Sequence, residues 1–356
     1  MSITVKSFGH LPTGEEAQLY TLTNASGASV SITNYGGILV KLMVPDKNGA
    51  LGDVLLGYDC VEKYADPKDP NPGYFGALIG RYGNRIHAGL FTFHGKEIQL
   101  AKNSNGQHLH GGDVGFDKKL WAAQPIEGEG EDSLALRYTS ADGEENYPGE
   151  LKVTVTYTFT DACKLGIHYE AVSDKDTICN LTNHAYFDLE GEANGDVTTH
   201  TVTIHADRFT VVDKDSIPTG ELRDVTGTPF DLRAGKLLSV GFACEAGDEQ
   251  MTFGQGYDHN FVVNGEGMRE AAVVTAPASG RVMSVWTDQP GIQLYTGNMI
   301  ACTHPGKSGR MYQKRDALCL ETQDFPDAPN HANFPSCELK AGEKYDFTTI
   351  YAFSAK

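Results

Sequence analysis

Hydrophobic and polar residues alternate one for one over long stretches of this chain. In Leu151–Thr160, Leu, Val, Val, Tyr and Phe occupy one parity, while Lys and four Thr occupy the other. A two-residue period sends each set to its own face, so the segment reads as a half-buried β-strand. Residues 163–172 repeat the pattern and pair back across a tight Asp161-Ala162 turn. Residues 30–33 and 38–44 read as strands around Asn34-Tyr-Gly-Gly37, and Pro45-Asp-Lys-Asn-Gly49 has the composition of a turn. Further strands are expected at 91–93, 134–138, 202–205, 282–286, 292–295 and 345–353. Helical periodicity is almost absent, with short candidates only at 61–64 and near 241–249.

Many short strands with frequent turns predict an all-β sandwich or barrel. The chain's 356 residues suggest two domains on length alone, although all-β folds often exceed the usual domain size. No Pro/Ser-rich linker or internal repeat divides it, and the most linker-like piece, 127–132, is a short acidic loop between strands. Patterning therefore leaves one large β-domain or two fused ones open.

Composition narrows the partners. Lys and Arg total 29 against 47 Asp and Glu, a net charge of -18. A phosphate backbone or an anionic membrane surface needs a cationic footprint, so nucleic acid and membrane partners are not expected. Hydrophobic residues at 40% exclude a largely disordered chain, and no uncharged apolar run approaches the ~18 residues of a membrane span. The N-terminal residues show no apolar signal region, and the seven cysteines include no CxxC pair. Reduced thiols and a cytoplasmic location are the expectation.

Four stretches mix glycine, aromatic and polar residues in a way plain strands do not: Gly80-Arg81-Tyr-Gly-Asn84-Arg85-Ile86, His108-Leu-His110-Gly-Gly through Trp121, Thr182-Asn183-His184-Ala-Tyr186-Phe, and Glu321-Thr-Gln-Asp324-Phe-Pro-Asp327. A His and a carboxylate held against one substrate can exchange protons with it near neutral pH, which suits His184 and Glu321. Taken singly, Glu321 is as well explained by a solvated strand end and His184 by a satisfied structural histidine. His108 and His110 form an H-x-H that would share a face on a strand and reach one metal, but the following Gly-Gly predicts a turn, where alternation fails. Asp324 and Asp327 have the carboxylate pairing of a glycosidase, yet their Pro-rich setting favours a turn. Neither a dinucleotide fingerprint nor a G-x-S-x-G elbow occurs.

These motifs, in this order, resemble the aldose 1-epimerase (galactose mutarotase) family. The resemblance rests on Gly80 to Ile86, Leu109-His110-Gly-Gly with Gly115-Phe-Asp-Lys and Trp121, and Asn183-His184-Ala-Tyr186-Phe. It continues through Ile217-Pro-Thr-Gly, Gly227-Thr-Pro-Phe-Asp231, Tyr257-Asp258-His259-Asn260, Gln289-Pro-Gly-Ile-Gln293-Leu-Tyr-Thr-Gly-Asn298 and Glu321-Thr-Gln. It runs from about Tyr35 to Tyr351, with small departures at Gly83, Asp188 and Leu294, where Ala, Asn and Phe are more usual. It implies a single domain over 1–356, a large antiparallel β-supersandwich. It also implies a cofactor-free, metal-free enzyme that interconverts the anomers of free aldohexoses such as galactose and glucose, working as a monomer or weak homodimer. By the same resemblance Glu321 is the base, His184 the acid, and His110 stands beside the reacting centre; Asn84, Arg85, Asp258 and Gln293 contact sugar hydroxyls, with Tyr186 nearby. The alternatives are a hexose-6-phosphate 1-epimerase, which needs a basic pocket this acidic chain barely offers, and a catalytically silent sugar-binding domain, which would lack the acid or the base.

Overall fold

The structure, a computed structural model, describes residues 1–68, 73–192 and 194–356. Two antiparallel sheets form the sandwich. The larger has nine strands in the spatial order Ala122–Glu127, Glu131–Ser140, Leu151–Thr160, Lys164–Ser173, Lys344–Ala355, Arg281–Thr287, Arg269–Thr275, Thr201–Ile204 and Lys236–Leu237. The alternation in Leu151–Thr160 does what the period predicts: Leu151, Val153, Val155, Tyr157 and Phe159 are buried, and the Lys and Thr are not. The second sheet has five strands in the order Pro218–Asp224, Ala206–Val212, Asp258–Val263, Gly291–Tyr295 and Cys319–Gln323. A separate five-stranded meander, Ser2–His10 to Leu51–Asp53, covers another part of the core.

Alternation within the second sheet decides what faces the core and what faces outward. His259, Phe261, Ile292, Leu294 and Leu320 point inward and are buried. The Tyr351 hydroxyl of the large sheet donates to the Leu320 carbonyl at 2.8 Å, and Thr349 and Thr322 share a hydrogen bond between their hydroxyls. The opposite parity, Asp258, Asn260, Gln293, Tyr295, Glu321 and Gln323, is thereby turned away from the large sheet.

Helices are few and short. Val61–Tyr64 forms where expected. The expectation near 241–249 is corrected: that span holds the end of one helix, Leu238–Phe242, and the start of another, Glu249–Gly254. Asp248 begins the second by accepting from the Met251 amide at 3.0 Å, which closes one of the open donors of the first turn. The acidic 127–132 segment is a hairpin turn between paired strands.

Candidate active site

Residues from each of the four motifs, joined by Asp258, meet at one pocket. Its volume is about 140 Å³, and its wall includes Asn84, Arg85, His110, His184, Tyr186, Asp258 and Glu321. A larger open cleft of about 840 Å³ lies among Asp46, Asp53, Glu190, Glu192 and Arg281 and holds none of the motif residues.

Each wall residue has a local reason for its place. Glu321 and Gln293 are cross-strand partners, as are Gln293 and Asn260, so register brings the two distant motifs side by side. His184 follows the two-residue strand Thr182–Asn183; its amide donates to the Ala77 carbonyl and its carbonyl accepts from the Gly76 amide, both at 2.9 Å. With its backbone pinned at both groups, the ring sits with Nε2 3.6 Å from Glu321 Oε1. Asn84 and His110 both have left-handed backbone, φ 61° and 50°. They are locked together: the His110 amide donates to the Asn84 carbonyl, and the Asn84 amide donates to His110 Nδ1, each at 3.1 Å. Because Nδ1 accepts, the proton of neutral His110 resides on Nε2.

Burial dominates the electrostatics. It pushes the Glu321 carboxyl well above its ordinary range, Asp258 adds to the rise, and Arg85 opposes it. It lowers His184 to about 4. His110 falls well below the ordinary imidazole value, through burial first and then the nearby His184 and Arg85. Asp258 is raised by burial and drawn back by Arg85 and by Gln293, whose Nε2 donates to Asp258 Oδ1 at 2.7 Å. The Arg85 side chain makes no hydrogen bond or ion pair with any other described residue, which leaves its donors for a ligand.

Gln293 joins the site through a wall residue, Asp258. It is 3% exposed and stands beside the pocket wall, its Nε2 donating to Asp258 Oδ1 while its Oε1 has no partner among the described residues. Other members of the wall were not anticipated: Gly73, Tyr74, Leu109, Tyr295 and Met299. The Tyr74 ring lies 4.7 Å from that of His110 and 6.0 Å from that of His184. Tyr295 shares the strand parity of Gln293 and was open to the same argument; Tyr74 follows a Pro-rich stretch with no periodic signal.

The remaining candidates have structural partners. His108 bonds the Ala101 carbonyl through Nδ1 at 2.8 Å and the Tyr147 hydroxyl through Nε2 at 2.5 Å, so both of its nitrogens are used and the H-x-H does not converge on one point. Arg81 is buried, giving its guanidinium to Ser140, Ala141 and Pro148. Asp327 accepts from the His87 amide and from Asn330, a turn role. Trp121 packs in the core with its Nε1 donating to the Phe116 carbonyl.

Comparison with known proteins agrees with this geometry. The family model described as aldose 1-epimerase matches residues 18–352. Galactose mutarotase from Bos taurus is 44% identical over 356 residues, and that from Homo sapiens 43% over 355, each covering 99% of both chains. The crystal structure of an aldose epimerase homologue from C. elegans superposes with a TM-score of 0.85 at 30% identity, covering 95% of this chain and 99% of that one. By fold and by sequence from end to end, this chain belongs to the aldose 1-epimerase family and is an enzyme with that family's mutarotase activity.

Proposed function

We propose that this enzyme interconverts the α and β anomers of free aldohexoses such as galactose and glucose, with Glu321 as the base and His184 as the acid. The observation that carries the reading is the approach of the Glu321 carboxyl to the His184 imidazole, 3.6 Å apart in a buried pocket of about 140 Å³. Ring opening needs the C1 hydroxyl proton removed while the ring oxygen receives one. In the working cycle Glu321 takes the first proton and His184 gives the second. The C1–C2 bond of the open aldehyde then turns, and closure on the other carbonyl face returns both protons.

The proton count of the pair does not change through this cycle. Before opening, the single proton is on His184 and Glu321 is charged; afterwards it is on Glu321 and both groups are neutral. Burial disfavours charge, so it favours the second arrangement. The charged pair that starts ring opening is therefore the minor arrangement, and its scarcity is part of the climb between anomers. Arg85 opposes the rise of Glu321 and so keeps the charged arrangement within reach.

The other wall residues suit a neutral sugar. Asn84, Arg85 and Asp258 offer donors and an acceptor to hydroxyls, Gln293 orients Asp258, and His110 presents Nε2–H beside the reacting carbon. Arg85 is the only Arg or Lys among the described residues of the wall, which argues for a free hexose over its phosphate. All seven cysteines are free, which supports a reducing, cytoplasmic setting.

Polarimetry with fresh α-D-galactose or α-D-glucose tests the reading. Glu321→Gln and His184→Asn are each expected to lower kcat by at least ~10²-fold; near-normal turnover in either folded variant removes that residue from its role. The donor atoms of His110, His184 and Glu321 lie within 4.8 Å of one another, a spacing that a divalent ion would also accept. The proton-transfer reading predicts that exhaustive chelation leaves activity intact, and loss restored by one specific ion would replace it.

A further inference from the structure

Asn260 and Gln323 close the two motifs that begin with Tyr257-Asp258 and Glu321, yet the chemistry above uses neither. Each lies two positions along its strand from a wall residue and so shares that residue's face. Asn260 is 1% exposed and Gln323 is 0% exposed. Both side-chain polar atoms of each have no hydrogen-bond partner among the described residues, and the same is true of Glu321 Oε2 and Gln293 Oε1.

Register makes these atoms neighbours. Asn260, Gln293 and Glu321 form one cross-strand row, and Gly291 pairs with Gln323 in the next row of the same face. Gly291 is what allows the crowding, since a Cβ there would fall 2.3 Å from Asn260 Oδ1 and 3.0 Å from the Gln323 carbonyl. The Asn260 amide therefore lies over the gap beside Gln323. Two amide donors, two amide acceptors, a carboxylate oxygen and a third amide carbonyl, all buried and without partners among the described residues, thus share one face in adjacent rows of the site sheet. Buried polar sets of this kind are completed by ordered water.

We propose that Asn260 and Gln323 are positioning residues for Glu321: their amides hold a buried water that donates to the second carboxylate oxygen, Oε2. The proposal rests on the reading of Glu321 as the base. Oε1 faces His184 and the reacting sugar; a donor on Oε2 fixes the plane of the carboxylate and supports its charged form. Of the titratable groups that interact with Glu321, the phenols of Tyr169, Tyr186, Tyr295 and Tyr351 and the Cys319 thiol are all pushed up by burial and stay neutral. The charges acting on it are then those of Asp258, Arg85 and His184. Without the water, the carboxyl keeps its proton to higher pH, and the arrangement that starts ring opening becomes rarer.

The test uses the full-length protein and Gln323→Met and Asn260→Leu, which keep volume and remove polarity. In each, kcat is expected to fall by about 10-fold with KM nearly unchanged, and the alkaline limb of kcat/KM to move up by about one pH unit. A wild-type kcat with an unmoved limb overturns the proposal, as does a loss of kcat with an unmoved limb. Where either variant fails to fold, Gln323→Ser, which keeps a donor and leaves room for water, is compared with Gln323→Ala, which leaves room alone. The Ser variant is expected to retain the higher kcat, and equal pH profiles for that pair overturn the proposal. Glu321→Gln separates the two readings: an active Glu321→Gln defeats the base assignment itself, whereas an inactive one beside wild-type amide variants defeats only this inference.

Discussion

In the proposed cycle His184 exchanges its proton with Glu321 through the sugar, so the pH at which the pair takes up a second proton sets the acid edge of activity. Burial lowers His184 from 6.5 to about 4. Above that value the pair carries a single proton and can cycle; below it both groups are protonated and no base remains. The acid limb of kcat/KM is therefore expected near pH 4, measured by polarimetry against the buffer-catalysed background, and a limb at 6.5 would show an imidazole open to water. At this scale much of the site was legible. His184 and Glu321 were recognisable because their neighbours were odd for strands, and Asp258, Asn84 and Arg85 because they sat in dense motifs. Gln293 was legible as a site residue, but its hydrogen bond to Asp258 was not, since that depends on how two neighbouring polar side chains turn. Tyr74 was not legible, because a left-handed residue (φ 54°) after a Pro-rich stretch leaves no period to read.

Long strands advertise themselves by alternation, and Leu151–Thr160 and Lys164–Ser173 lie within a residue of where the pattern puts them. Two-residue elements do not. Arg85–Ile86 and His108–Leu109 pair with each other and set Asn84 beside His110, yet each is too short to show a period. What marks this place in the sequence is glycine. At Gly111 the backbone has φ +90°, and a Cβ would fall 1.9 Å from the Gly80 carbonyl oxygen, a contact no rotamer relieves. Gly111→Ala should therefore push the His110 loop off the Gly80 segment. We expect a loss of about 1–3 kcal/mol of stability by chemical denaturation, together with a fall in kcat as the His110 ring leaves its amide partner. A variant with unchanged midpoint and unchanged kcat would mean that the loop has slack that this geometry does not show.

On the scale of the whole molecule, one buried cluster includes Leu22 from the N-terminal meander, Val155 and Tyr351 from the large sheet, and Phe209 and Leu294 from the site sheet. We propose that residues 1–356 behave as a single cooperative domain. Calorimetry is expected to give one unfolding transition whose calorimetric and van't Hoff enthalpies agree, and two separable transitions would divide the chain. Length alone suggested two domains, and strand patterning could not decide, because which strands pair at long range is not written in local periodicity. The element that supports one domain is Lys344–Ala355, which lies between Lys164–Ser173 and Arg281–Thr287 and pairs with the first over 344–352 and with the second over 349–355. During synthesis this strand leaves the ribosome after almost everything it must join. Until then the two halves of the large sheet wait with facing, unpaired edges, each a template for another nascent chain. The cell's difficulty with this protein should then last until that strand has emerged and docked, and a chaperone that shields those edges would raise the yield of enzyme without touching its chemistry.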